Sequence, residues 1–201
     1  MTLRQQVNPN EVAAIIIEPV QGEGGYVPCP PAFMKHLRSV CDKHGIMLIV
    51  DEVQTGFYRT GKYFSVDHLD DFKPDALIMA KGLANGFPIS GLVTRKELSD
   101  KLEPGSFGGT YAGNAVACAA GIASQEIFQT EDIGGNVERR SAQLYEALNK
   151  LATSPKTKHL IAEVRGQGVS PRSPSHRSQA PIPSFHNSTI PSSPQIHYLY
   201  F

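Results

Sequence analysis

Three short apolar segments each run into an ionisable residue and then into a glycine-containing loop. AAIIIEPVQGEGG places Glu18 after Ala13–Ile17, IMLIVDEVQTG places Asp51 after Ile46–Val50, and ALIMAKGLANG places Lys81 after 76–80. Continuous apolar runs of this length, rich in Ile and Val, are the pattern of parallel strands buried on both faces. In an open parallel sheet, ligands sit outside the carboxyl ends of the strands. Glu18, Asp51 and Lys81 are therefore the first candidates for chemistry, and the connection from Asp51 to Lys81 is long enough to bring neighbouring strand ends together. The glycines that follow each of them permit close approach by a ligand or another backbone.

Lys81 has two readings: a salt bridge to a neighbouring carboxylate, or a reactive amine. The setting favours the second, because a lysine directly after LIMA and flanked by small residues has little room for a solvated ammonium. Desolvation favours the neutral amine, which attacks carbonyls to form an imine. A carbonyl compound held this way needs its electronics tuned, and a carboxylate beside a pyridine nitrogen keeps that ring protonated and electron-withdrawing. Asp51 is the candidate for that acid.

The elements that must carry these groups alternate between strand and helix from about Val12 to Val169, without an internal repeat. Phe33, Leu37, Val40 and Cys41 have helical spacing, prolines precede them, and Gly45 follows as a natural stop. Together with the flanking apolar runs this is a βαβ unit. The Lys73-Pro74-Asp75 turn leads to the strand at 76–80. Thr94 and Glu97 have the spacing of a capping box before a short helix through Leu102. Asn114–Phe128 reads as a helix whose Ala and Gly allow close packing, and Val137, Leu144, Leu148 and Leu151 share one face of another. The fold class expected is α/β, with a mostly parallel sheet flanked by helices over residues 1–169. Residues 170–201 are rich in Ser and Pro, lack Asp and Glu, and show neither period, so a disordered tail is expected.

Composition narrows the partners. The chain of 201 residues balances Lys+Arg 19 against Asp+Glu 19, so no global charge draws it to nucleic acid or to an anionic membrane. Its apolar runs fall far short of a bilayer span. The 3 cysteines lack CxxC spacing, which fits a reducing compartment and argues against a disulfide framework or a zinc site. No GxGxxG follows a strand, which weakens a dinucleotide-binding reading.

Four ordered blocks, EPVQGEGG, LIVDEVQTGFYRTG, DALIMAKG and GGTYAGN, resemble the class III group of pyridoxal-phosphate-dependent aminotransferases, over about Val12 to Val169. The resemblance implies part of the large domain of the fold type I transferases. It implies that Lys81 forms the imine with pyridoxal 5'-phosphate, that Asp51 pairs with the pyridinium nitrogen, and that Gln54 hydrogen-bonds the ring oxygen. Thr110 is similar to a residue that reaches across a homodimer to the partner's cofactor phosphate, so a dimer is implied. Glu18 and Glu23 match acids on the substrate side. Glu23 resembles a glutamate that pairs with an arginine in some ω-amino-acid aminotransferases, an arginine expected beyond Val169, where the chain departs from the pattern. The implied reaction moves an amino group from an amino acid, 4-aminobutyrate-like or ornithine-like, to a 2-oxo acid, with Lys81 shuttling a proton. The alternative is a catalytically silent fragment retaining only the dimer-forming core. An intracellular location, cytoplasmic or mitochondrial, is expected.

The remaining polar residues take plainer readings. Glu52 faces away from Asp51 and is structural, and His36 and His44 are surface or packing residues of a helix. Arg59 positions its loop, and Arg139 and Arg140 belong to a solvated helical face.

Overall fold

The three apolar runs become three neighbouring parallel strands: β1 (Val12–Ile17), β4 (Met47–Asp51) and β5 (Ala76–Met79). A small hairpin, β2 (Val20–Gln21) with β3 (Val27–Pro28), intervenes, followed by α1 (Pro31–His44). Ile15, Leu48 and Val50 are fully buried, and α1 covers them with Met34, Leu37 and Cys41. Each such side chain contributes about 1.5–3 kcal/mol of apolar burial. Gly45 ends α1 in the left-handed conformation (φ 65), where a side chain is strained. The computed structural model describes residues 7–106, 108–172 and 197–200.

An antiparallel strand that the sequence did not single out, β6 (Gly91–Thr94), pairs with β5 and forms one edge of the sheet. After it come α2 (Lys96–Ser99), α3 (Ala115–Thr130) and α4 (Ile133–Thr153). The capping box expected from Thr94 and Glu97 does not form. The Thr94 hydroxyl instead donates to the Asp75 carbonyl at 2.8 Å, and α2 has Arg95 at its N-cap with no side-chain cap and ends before Leu102. On α4 the half-buried face runs through Val137, Ser141, Tyr145 and Leu148, while Leu144 and Leu151 are exposed.

Asp75, read from sequence only as part of a turn, is buried at the centre of the charge network. Its Oδ2 accepts the Leu48 N–H at 2.8 Å and pairs with Arg38 Nη1 at 2.8 Å, and its Oδ1 pairs with Arg95 Nη2 at 2.6 Å. One carboxylate thus ties β4 to α1 and to the end of β6. Burial pushes its carboxyl up, but the Leu48 N–H, Arg38 and Arg95 together outweigh burial and hold it below the usual carboxylate range.

A second hairpin joins β7 (Arg165–Gln167) to β8 (Ser170–Arg172), and β9 (His197–Tyr200) pairs parallel to β1, giving the sheet order β6-β5-β4-β1-β9. The two ends of the Ser/Pro-rich segment are therefore strands; residues 173–196, where most of the expected tail falls, lie outside the described residues.

Candidate active site

Asp51 is the last residue of β4, and its register opposes it to Ile78 of β5. Lys81 lies two residues beyond the end of β5, with Ala80 between. Adjacent strands lie about 4.8 Å apart and a strand advances about 3.3 Å per residue, so acid and amine stand at neighbouring strand ends. Asp51 is half-buried. Its Oδ1 accepts the Val53 N–H at 2.9 Å, and Oδ2 has no hydrogen-bond partner among the described residues.

Lys81 departs from expectation in one respect: it is exposed. The sheet ends at Met79, and Lys81 starts a 3-10 turn (Lys81–Leu83) that leaves the lysine exposed, so the described residues do not supply the desolvation that its apolar flank suggested. Its backbone is held in the left-handed region, φ 45, as are those of Asn85 (φ 45), Phe57 (φ 57) and Tyr26 (φ 53). Non-glycine residues rarely adopt this conformation, and it concentrates where surrounding structure imposes a functional geometry. Lys81 is held by its own turn, with the Asn85 N–H donating to the Lys81 carbonyl at 3.1 Å, and by α3, where the Asn85 side chain donates to Ser124 Oγ at 3.2 Å. The buried face of α3 is Ala117, Gly121 and Ser124, so the small residues expected to pack closely do so, against the lysine turn.

Beneath the turn, Gly82 meets Phe57 at the edge of a cluster that includes Tyr63, Phe64 and Phe128. A Cβ at position 82 would stand 2.8 Å from the Phe57 Cβ. Gly82→Ala is therefore expected to lower stability by about 1–3 kcal/mol, read as a lower denaturation midpoint at unchanged slope.

A second group assembles around Gly22. Glu18, half-buried at the end of β1, accepts the Gly22 N–H at 2.8 Å through Oε2, and a Cβ at position 22 would lie 3.1 Å from Gln54 Cγ. The structure thus brings Glu18 and Gln54 together across a glycine. Glu23 is exposed at the tip of the turn that begins there, and Thr110 is exposed in the loop ahead of α3; no described hydrogen bond links either to Asp51 or Lys81. A polar cleft of about 300 Å3 opens beside Gln54, lined by Tyr26, Gln54, Arg59, Val169, Ser170 and Pro171.

Glu52 is fully buried and points into the structure. It accepts from the Thr55 hydroxyl and from the Val66 N–H at 2.9 Å, closing the loop that follows β4. Burial pushes its carboxyl up against the opposing pull of Thr55, Val66 and Ser65. The structural reading of Glu52 matches this placement. The Arg59 backbone carbonyl accepts the Val169 N–H at 3.2 Å. Asn85, Tyr26 and Arg165 were not singled out in the sequence.

A mostly parallel α/β sheet flanked by helices, with an acid and a lysine on adjacent strand ends, is the core of the large domain in fold type I transferases. Residues 1–170 match the family model described as Aminotransferase class-III, and the chain belongs to that family. It is 43% identical over 165 residues to the 5-aminovalerate aminotransferase DavT of Pseudomonas putida, covering 82% of this chain and 38% of that protein. It is 45% identical over 162 residues to the 4-aminobutyrate aminotransferase GabT of Escherichia coli, covering 80% of this chain and 37% of that protein. Among solved structures, taurine:2-oxoglutarate aminotransferase from Bifidobacterium kashiwanohense, in complex with PLP and glutamate, superposes with a TM-score of 0.76 at 35% identity, covering 85% of this chain and 38% of that one. The chain therefore spans less than two fifths of these relatives. No helix among the described residues is long and apolar enough to cross a membrane.

Proposed function

We propose that this chain is part of the large domain of a pyridoxal-phosphate-dependent aminotransferase that takes an amino group from an ω-amino acid and delivers it to a 2-oxo acid. The observation that carries the reading is the pairing of strand ends: Asp51 opposite Ile78, with Lys81 two residues beyond the end of β5. The residues fit the cofactor. Asp51 keeps one oxygen without a hydrogen-bond partner among the described residues, Gln54 lies against Gly22, and Lys81 is held in a left-handed backbone conformation.

When bound, pyridoxal phosphate supplies an aldehyde that condenses with amines and a pyridine ring that withdraws electrons from the substrate carbon. Lys81 binds it through Nζ, and the freed amine moves a proton at the substrate carbon. Asp51 holds the proton on the ring nitrogen. Gln54 orients the ring, and Glu18 fixes the glycine beside it. Glu23 lies on the substrate side and favours ω-amino acids, in keeping with relatives named for 5-aminovalerate and 4-aminobutyrate. Three free cysteines fit a reducing, cytoplasmic setting.

A homodimer is part of the proposal, with Thr110 serving the partner's cofactor phosphate. Its support is the exposed apolar surface around α3: Tyr111, Val116, Ile122 and Ile127 are 81%, 61%, 62% and 45% exposed. The exposure of Lys81 favours the second reading, a catalytically silent core that retains only this surface. Incubation with pyridoxal phosphate, borohydride reduction and peptide mapping separate the two. The enzyme reading expects the pyridoxyl group on Lys81, and an unlabelled chain at saturating cofactor supports the silent core.

A further inference from the structure

Arg165 has no part in the chemistry above, yet its guanidinium joins segments far apart in the chain. Its Nε donates to the Gly25 carbonyl at 3.1 Å, and its Nη1 pairs with Glu163 Oε2 at 2.9 Å. Gly25 closes the turn that starts at Gly22: the Gly25 and Tyr26 N–H groups both approach the Gly22 carbonyl, at 3.1 and 3.4 Å. At its entry the turn is held by Glu18, which accepts the Gly22 N–H. At its exit it is held by Arg165. Glu23 sits exposed between the two anchors. A turn containing Gly22, Gly24 and Gly25 has wide backbone freedom and little side-chain packing of its own, so its conformation depends on such anchors.

The donor side of the bond is itself fixed. The β7–β8 hairpin is docked by the Val169 N–H on the Arg59 carbonyl at 3.2 Å and by the Ser141 hydroxyl on the Gly168 carbonyl at 2.7 Å. Arg165 therefore transmits the position of a docked hairpin to a glycine-rich turn. We propose that Arg165 is a positioning residue that fixes the Gly22–Gly25 turn and with it the carboxylate of Glu23 toward substrate. The inference rests on the aminotransferase reading for the substrate-side place of Glu23.

The test uses the whole chain with Arg165→Met and Arg165→Lys. Amide exchange at Gly24, Gly25 and Tyr26 is expected to rise about tenfold in Arg165→Met, the scale of one lost charge-assisted hydrogen bond, with Val12–Ile17 unchanged. In chains loaded with pyridoxal phosphate, the 4-aminobutyrate concentration that half-displaces the lysine-bound absorption band should rise by a similar factor, at unchanged half-saturation by the cofactor. Arg165→Lys, which keeps a cationic donor, should restore most of both effects; this variant carries the comparison if Arg165→Met perturbs folding. Equal exchange in all three chains overturns the proposal. So does raised exchange with an unchanged 4-aminobutyrate titration, which would make Arg165 a structural brace alone. Absence of the lysine-bound band in the unsubstituted chain sinks the aminotransferase reading and the Glu23 role with it, while the exchange ratio still reports separately whether the Arg165–Gly25 bond holds the turn.

Discussion

Lys81→Ala is expected to bring borohydride-fixed pyridoxyl incorporation down to background, a loss of at least about a hundredfold, and to abolish any amino transfer, because no other group at this strand end can replace the nucleophilic amine. Lys81→Arg should lose the label equally while retaining the positive charge, which separates nucleophilicity from electrostatics. Noncovalent cofactor binding should survive in part through Asp51 and Gln54. The backbone provides an independent check. Lys81 is held at φ 45, a conformation strained for any residue with a Cβ, so alanine inherits the strain and the fold should be little changed. Glycine relieves it, and Lys81→Gly is expected to gain about 1 kcal/mol of stability while losing the chemistry. Retention of the label in Lys81→Ala would show that another amine reacts.

Asp75→Ala is expected to cost on the order of 3 kcal/mol, because it leaves the Leu48 N–H without its acceptor and Arg38 without its buried partner. The exposed partner, Arg95, adds little. The pH dependence has a definite sign. The folded carboxyl lies below its unfolded value near 3.9, so its contribution is complete above about pH 4 and is lost as the pH falls through the folded value. Denaturation midpoints of the parent and of Asp75→Asn should therefore differ most at neutral pH and converge in acid. A constant gap down to the acid limit would show that charge on Asp75 does not matter.

The strands β1, β4 and β5 and the helix α1 were legible because burial on both faces demands continuous Ile, Val and Leu, and because Pro31 and Gly45 mark the ends of α1 chemically. The candidate residues were legible for a related reason: Glu18, Asp51 and Lys81 interrupt apolar runs abruptly, where a sheet must stop. Four features were not legible. β6 carries exposed Leu92 and Val93 on an edge, so its composition does not announce a buried strand. The Thr94 hydroxyl had two possible roles, accepting a helix N–H as a cap or donating to the Asp75 carbonyl, and the choice was made by the sheet register that places Thr94 opposite Ala76. The exposure of Lys81 depends on what covers the strand end, which local sequence does not encode. Asp75 reaches the Leu48 N–H across 27 residues and Arg165 the Gly25 carbonyl across 140, separations at which no spacing pattern signals a contact.

The central claim is that one ring lies between the amine at position 81 and the acid at position 51. With pyridoxal phosphate carrying an isotopically labelled ring nitrogen, fixed covalently by borohydride so that affinity no longer enters, NMR reads directly the pH at which that nitrogen loses its proton. A carboxylate in contact should raise this pH by about one unit or more relative to Asp51→Asn. Deprotonation at the same pH in both chains would contradict the account, since the acid would then have no ring to hold.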